Sequence, residues 1–140
     1  MSEAASRPVP TLRGEEAAYY AAAAEGRLAI QRCPACARAI FYPRTLCPHC
    51  RDGTPEWVAA GGHGTIYSFS VLHRPGGPGF EADVPYAVAL IDLEEGVRVM
   101  ANIVNVAAER LEIGMRVRVA FEDRGEGFVV PQFEPAEVGP

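Results

Sequence analysis

At 140 residues, nearly half of them apolar and 22% charged, the chain can bury one core plus a small satellite but hardly two full cores. Its composition excludes a largely disordered protein, and no apolar run approaches the ~20 residues that a membrane helix requires. The net charge of −5 is unevenly spread: residues 26–51 hold five arginines and no acid, whereas from Asp52 onward fourteen acids face six arginines, which disfavours a long nucleic-acid partner that would want a broad basic face.

Residues 1–13, with two prolines and no periodic pattern, read as a loose tail. Acids at Glu15 and Glu16 precede the only Ala-rich stretch, so this end does not read as a secretory signal, and a cytoplasmic location is expected. Residues 14–26 form the next unit, a helix over Gly14–Ala24 with two acids at its positive end and Gly26 to stop it. Its YYAAAA interior leaves no wide polar face, so the helix should dock on its own domain or on a partner chain. In residues 27–56, Leu28–Arg32 and Ile40–Tyr42 are short extended stretches around the first cysteine pair, and the segment reads as two tight knuckles joined by a small hairpin.

Residues 57–137 change texture. Five β-rich runs follow, at 65–74, 85–93, 97–104, 116–123 and 128–135. Glu94-Glu95-Gly96 and residues 124–127 are hairpins, and AAERLEIGM allows one helical turn before Gly114. Val97, Val99, Ala101 and Ile103 share one face, as do Val117, Val119 and Phe121. This order predicts a five-stranded Greek-key barrel of the OB type, hence a mainly β fold with one N-terminal helix.

The four cysteines fall as C-x2-C-x10-C-x2-C: Cys33, Cys36, Cys47 and Cys50. Two intervening residues let both thiolates of a pair converge on one ion, and two such pairs supply a tetrahedral sulfur shell suited to zinc. In a reducing cytosol, metal ligation is favoured over disulfides. Iron also accepts four sulfurs, which keeps an electron carrier as a rival reading. Four protein ligands leave no open position for substrate, so the metal is expected to be structural. His49 lies within the second knuckle and reads as an exposed bystander.

No catalytic constellation emerges. His63 and His73 sit in or beside loops, no G-x-S-x-G elbow or phosphate loop is present, and every cysteine is taken by the metal. The segment Arg74–Phe80 has two prolines where a phosphate cradle would need amides, and reads as the long first loop of the barrel. Two or three arginines of the basic segment would instead suit a small polyanion such as a nucleotide-type cofactor.

The pieces GRLAIQRC, FYPR, EWVAAGGHGTIYSFSV, VPYAVALIDL, LEIGMRVRV and PQFEP, taken together over residues 15–135, resemble the DUF35 family of acyl-CoA-associated OB-fold proteins with a rubredoxin-like zinc ribbon. The resemblance implies a non-catalytic subunit that binds acyl-CoA beside a thiolase-like enzyme, or beside a steroid side-chain hydratase or aldolase, as a homodimer or hetero-oligomer. It implies structural zinc on the four cysteines. It makes Arg44 the leading contact for a CoA phosphate, with Tyr42, Pro43 and Arg32 beside it. Knuckles of this kind often carry glycine after the second cysteine of a pair; here those positions are Ala37 and Arg51, so adjusted turns are expected. The alternative is a single-stranded nucleic-acid binder using Tyr67, Phe69 and the basic ribbon.

Overall fold

The computed structural model describes residues 10–125 and 127–136. Most of the proposed tail, Glu126 of the second hairpin and the last residue assigned to the barrel lie outside them. One helix, α1 (Glu16–Ala24), precedes eight strands: β1 (Ala29–Arg32), β2 (Ala39–Ile40), β3 (Glu56–Ala59), β4 (His63–Leu72), β5 (Tyr86–Leu93), β6 (Arg98–Ile103), β7 (Arg116–Asp123) and β8 (Val129–Pro135).

Ahead of α1, the Arg13 amide, two residues before the N-cap Glu15, donates to Glu16 Oε1 at 2.7 Å and ties the incoming chain to the first helical turn. At its end Gly26 takes φ +78, and the amides of Gly26 and Arg27 return to the carbonyls of Ala23 and Ala22 at 2.9 Å each. Only a residue without Cβ enters that conformation readily. Ala22 and Ala23 are buried, and the helix packs on β8 and β1. Of the two docking choices open to the apolar helix, it therefore takes its own domain.

β1 is the centre of a three-stranded sheet of order β2-β1-β3. Its third strand was not apparent from the sequence, where Trp57 marks only a change of texture; Arg32 pairs with Glu56 and Ala29 with Ala59. Being central, β1 is covered on both faces, with Ile30 and Gln31 at 0% and 1% exposure. Leu28 and Ile30 belong to the same buried cluster as the barrel interior, so the small sheet and the barrel share one core.

The barrel closes in the order β4-β5-β6-β8-β7, with β7 returning to β4. All pairs are antiparallel except β6–β8, which meet at Ile103 and Phe133. β5 alternates strictly, sending Ala87, Ala89, Ile91 and Leu93 inward. The GGHG stretch that leads into β4 is tightly fitted at two of its glycines. A Cβ on Gly62 would stand 2.6 Å from Val119 Cγ1, and one on Gly64 would stand 2.7 Å from Ile91 Cγ2. AAERLEIGM supplies the expected turn as a single 3-10 turn over Ala108–Arg110.

Candidate functional site

The first knuckle closes through Ala37 N to Cys33 O at 2.7 Å, the second through Arg51 N to Cys47 O at 3.0 Å. Amides also point at sulfur: Cys36 N lies 3.5 Å from Cys33 Sγ and His49 N 3.4 Å from Cys47 Sγ. Ala37 and Arg51 take φ +66 and +60, the left-handed conformation that glycine would adopt at lower cost. The knuckles have kept their shape despite the missing glycines.

All four sulfurs lie within 4.8 Å of one another. Cys33–Cys50 and Cys36–Cys47 are each 3.7 Å apart. A tetrahedron with metal–sulfur bonds of about 2.3 Å has edges of about 3.8 Å, whereas a disulfide needs about 2.05 Å. The thiols are free, and their spacing fits a metal. Burial pushes the Cys47 thiol up, but the amides of Cys50 and His49 and the thiols of Cys33 and Cys36 outweigh it and bring it down to about 6. At Cys36 the Arg38 amide lowers, while burial and the three other thiols raise, with a net rise to about 11. His49 stays outside the shell, its Nε2 3.3 Å from the Ala39 carbonyl.

The hairpin between the knuckles is held by a residue that sequence reasoning did not single out. Gln31, buried on β1, accepts from Arg44 N at 2.7 Å and donates to Arg44 O at 3.0 Å. One side chain thus supplies both halves of a backbone pairing for a segment with no strand beside it. The Q-R-C pattern held the signal, but a glutamine reads as surface until β1 is known to be central.

Beyond that hairpin lies a groove of about 530 Å³ on the outer face of the barrel, under α1. Tyr42 and Pro43 line it, and Arg44 and Arg32 do not; both arginines are exposed on the ribbon. A chain of rings runs along one wall: Phe128–Tyr20 at 5.0 Å, Tyr20–Tyr19 at 5.0 Å, Tyr19–Phe41 at 5.5 Å and Phe41–Tyr42 at 4.9 Å. Burial raises the Tyr19 and Tyr20 hydroxyls above the usual tyrosine range. Across the groove the first loop folds back, Gly76 N donating to the Tyr86 hydroxyl at 3.0 Å and Phe80 meeting the Tyr86 ring at 6.0 Å.

The floor is polar. Gln132, 3% exposed, accepts from Asn102 N at 2.8 Å and donates to Asn102 Oδ1 at 3.1 Å and Glu122 Oε2 at 2.9 Å. Asn102 Nδ2 reaches Ala87 O at 2.9 Å, and Arg124 Nε reaches Glu122 Oε1 at 2.9 Å. Glu122, near the end of β7, is turned toward this network rather than to solvent alone. Glu94 and Glu95 also have partners, Arg116 at 2.8 Å and Gly61 N at 2.8 Å.

The pair proposed for base stacking is separated. A bulge between Ile66 and Ser68 shifts the alternation, so Phe69 packs against the core. Tyr67 stays outside, with the Arg98 guanidinium 3.4 Å above its ring. The two rings do not form one platform.

Comparison with known proteins bears on this arrangement. Residues 21–56 match the family model described as ChsH2, rubredoxin-like zinc ribbon domain, and residues 57–122 that of the ChsH2 C-terminal OB-fold domain. A DUF35 domain-containing scaffold protein of Methanocaldococcus jannaschii is 37% identical over 113 residues, covering 76% of this chain and 79% of that protein. The chain belongs to the DUF35 family. A DUF35 chain in a solved structure described as Ltp2-ChsH2(DUF35) aldolase superposes with a TM-score of 0.82 at 38% identity, over 91% of this chain and 98% of that one. A probable enoyl-CoA hydratase alpha subunit of Thermomonospora curvata is 41% identical over 132 residues. These span 94% of this chain but 41% of that relative, so the DUF35 unit occurs there within a much longer protein. Among the described residues no helix is long and apolar enough to cross a membrane.

Proposed function

We propose that this chain is a non-catalytic accessory subunit that binds acyl-CoA and docks on an enzyme of acyl-CoA metabolism, either of the thiolase superfamily or an acyl-CoA hydratase or aldolase. The observation that carries the reading is its near-complete match, over 98% of that chain, to the DUF35 partner in an aldolase structure. Cys33, Cys36, Cys47 and Cys50 hold structural zinc in this reading. Zinc in a closed four-sulfur shell supplies folding energy and no chemistry, which leaves turnover to the partner. Arg44 contacts a CoA phosphate, because a guanidinium forks onto phosphate oxygens. Gln31 fixes its main chain, and Arg32 adds a second cation.

Calorimetry of the zinc-loaded chain with CoA, together with copurification from the native cell, tests both halves. The Arg44→Ala variant is expected to weaken CoA binding about tenfold, the loss of one charge-assisted contact worth about 1.5 kcal/mol. Absence of CoA binding by the native chain, with no thiolase, hydratase or aldolase copurified, overturns the proposal.

A further inference from the structure

The groove floor carries more hydrogen-bonding capacity than the protein uses. Gln132 spends both amide hydrogens, on Asn102 and Glu122, and its carbonyl accepts from Asn102 N. Asn102 spends one Nδ2 hydrogen on Ala87 O, leaving the other. Arg124 spends its Nε–H on Glu122. Its guanidinium has five donors in all, so among the described residues the terminal Nη hydrogens stay available while the side chain is only 13% exposed. The N–H donors left over at the floor are therefore the Arg124 Nη hydrogens and one Asn102 Nδ2 hydrogen. Because Glu122 neutralises Arg124, the site suits a single oxygen or carboxylate rather than a multiply charged phosphate.

Above this floor the surfaces are mainly apolar, with the Glu16 carboxylate of α1, which accepts from the Arg13 amide, also in the lining. Tyr19, Tyr20, Phe41 and Tyr42 form one wall, with Val88 and Met100 on the barrel. A second cavity of about 260 Å³ shares Phe80, Tyr86 and Asn102 with the first, so the polar floor lies where the two cavities meet. Apolar walls with a few convergent polar groups are the usual make-up of a small-molecule site. Glu95 Oε1 is the one side-chain polar atom among the described residues that is both buried and without a partner, so the unused donors at the groove floor are open to solvent, and a ligand oxygen can take the place of water on them.

We infer that this groove holds the hydrocarbon body of a small ligand whose far end carries an oxygen acceptor, read by the Arg124 Nη groups and Asn102 Nδ2. This deepens the acyl-CoA reading and rests on it for the ligand's identity: the body is the acyl group of an oxygenated acyl-CoA. Because the spare groups at the floor are donors, an end group that can only donate, such as an ammonium, finds no partner among them, and the rings of Tyr20 and Tyr42 favour a flat or extended body.

The test uses the full zinc-loaded chain and three CoA-free probes, decanoate, decan-1-ol and decylamine, followed by isotope-edited NMR and calorimetry. Decanoate and decanol are expected to shift amides of β6, β8 and α1, and decanoate to bind at least tenfold more tightly than decylamine. Arg124→Met should remove that preference, and Met100→Trp, a change at a 59% exposed position, should weaken decanoate and decanol by filling the groove. Should Arg124→Met fail to fold, the decylamine comparison and Met100→Trp still decide. Equal binding of decylamine and decanoate, shifts confined to other surfaces, or no effect of Met100→Trp overturns the inference. None of these probes contains CoA, so failure here leaves the calorimetry with CoA and the copurification to stand or fall separately.

Discussion

Gly53 lies where one methyl group would strike the metal site. A Cβ there would stand 2.2 Å from Cys33 Sγ and 3.1 Å from Ala35 Cβ, and backbone surrounds it, since Gly53 O accepts from Cys47 N at 3.0 Å. The residue follows the second knuckle and carries no ligand atom, yet Gly53→Ala must displace one of the four sulfurs. Metal affinity should fall about 10–100-fold, the range seen when a group supporting a ligand is lost; competition against a chromophoric chelator measures it, and unchanged affinity refutes the steric argument. Gln31 acts at the same scale on the other side of the hairpin. Gln31→Leu keeps the bulk but strands Arg44 N and O, so a stability loss of about 1–3 kcal/mol is expected. Thermal unfolding at saturating zinc would show it, and the variant should also loosen CoA binding more than a distant substitution of equal stability cost.

At the level of elements, the ribbon and the barrel differ in what holds them. The ribbon's own apolar cluster amounts to Cys33, Ile40 and Cys47 with Cys36 beside them, far too little to order some twenty-five residues without metal. β1 is different, because Leu28 and Ile30 are buried with the barrel core and the strand pairs with β3 along four residues. Chelation should therefore abolish hydrogen-exchange protection from Cys36 to Gly53 while β1, β3 and the barrel keep theirs. Protection lost equally throughout would mean that the metal holds the whole chain. The same distinction explains what could be read in advance. Cysteine spacing and strand alternation are local patterns, so the knuckles and all five barrel strands were legible. β3, the pairing of Gln31 with Arg44 and the Asn102–Gln132–Glu122 network depend on which strand becomes central and which face α1 covers. These follow only from packing, and for that reason the groove floor, unlike the metal site, was invisible in the sequence. The β4 bulge is another such case: by alternation alone Tyr67 and Phe69 share a face, and a single extra residue separates them.

Across the whole molecule, charge is used to tie strands of the acidic barrel together. Asp92 on β5 holds Arg98 on β6 at 2.6 Å, and Arg98 in turn covers Tyr67 on β4. Glu134 on β8 holds Arg118 on β7 at 2.9 Å and accepts from Asn105 Nδ2 at 2.6 Å. The Arg98 hydrogen bond lowers the Asp92 carboxyl, and the hydrogen bonds from Arg118 and Asn105 lower that of Glu134. A carboxyl lowered by folding binds its proton more weakly in the native state than in the unfolded one. Its stabilisation is thus complete above the unfolded carboxylate range, near pH 4, and disappears as the pH falls through the lowered native values. Both pairs reach solvent, which screens them, so each contributes only weakly. The Asp92→Asn, Glu134→Gln double variant should be slightly less stable than the native chain at pH 7. The two stability curves, taken from urea unfolding at low salt, should converge as the pH falls below the unfolded carboxylate range and through the lowered native values of both carboxyls. Curves that stay parallel over that interval would show that these pairs do not carry the barrel's acid sensitivity. Salt provides an independent check, since raising it to 1 M shortens the screening length to about 3 Å and should shrink the difference at pH 7.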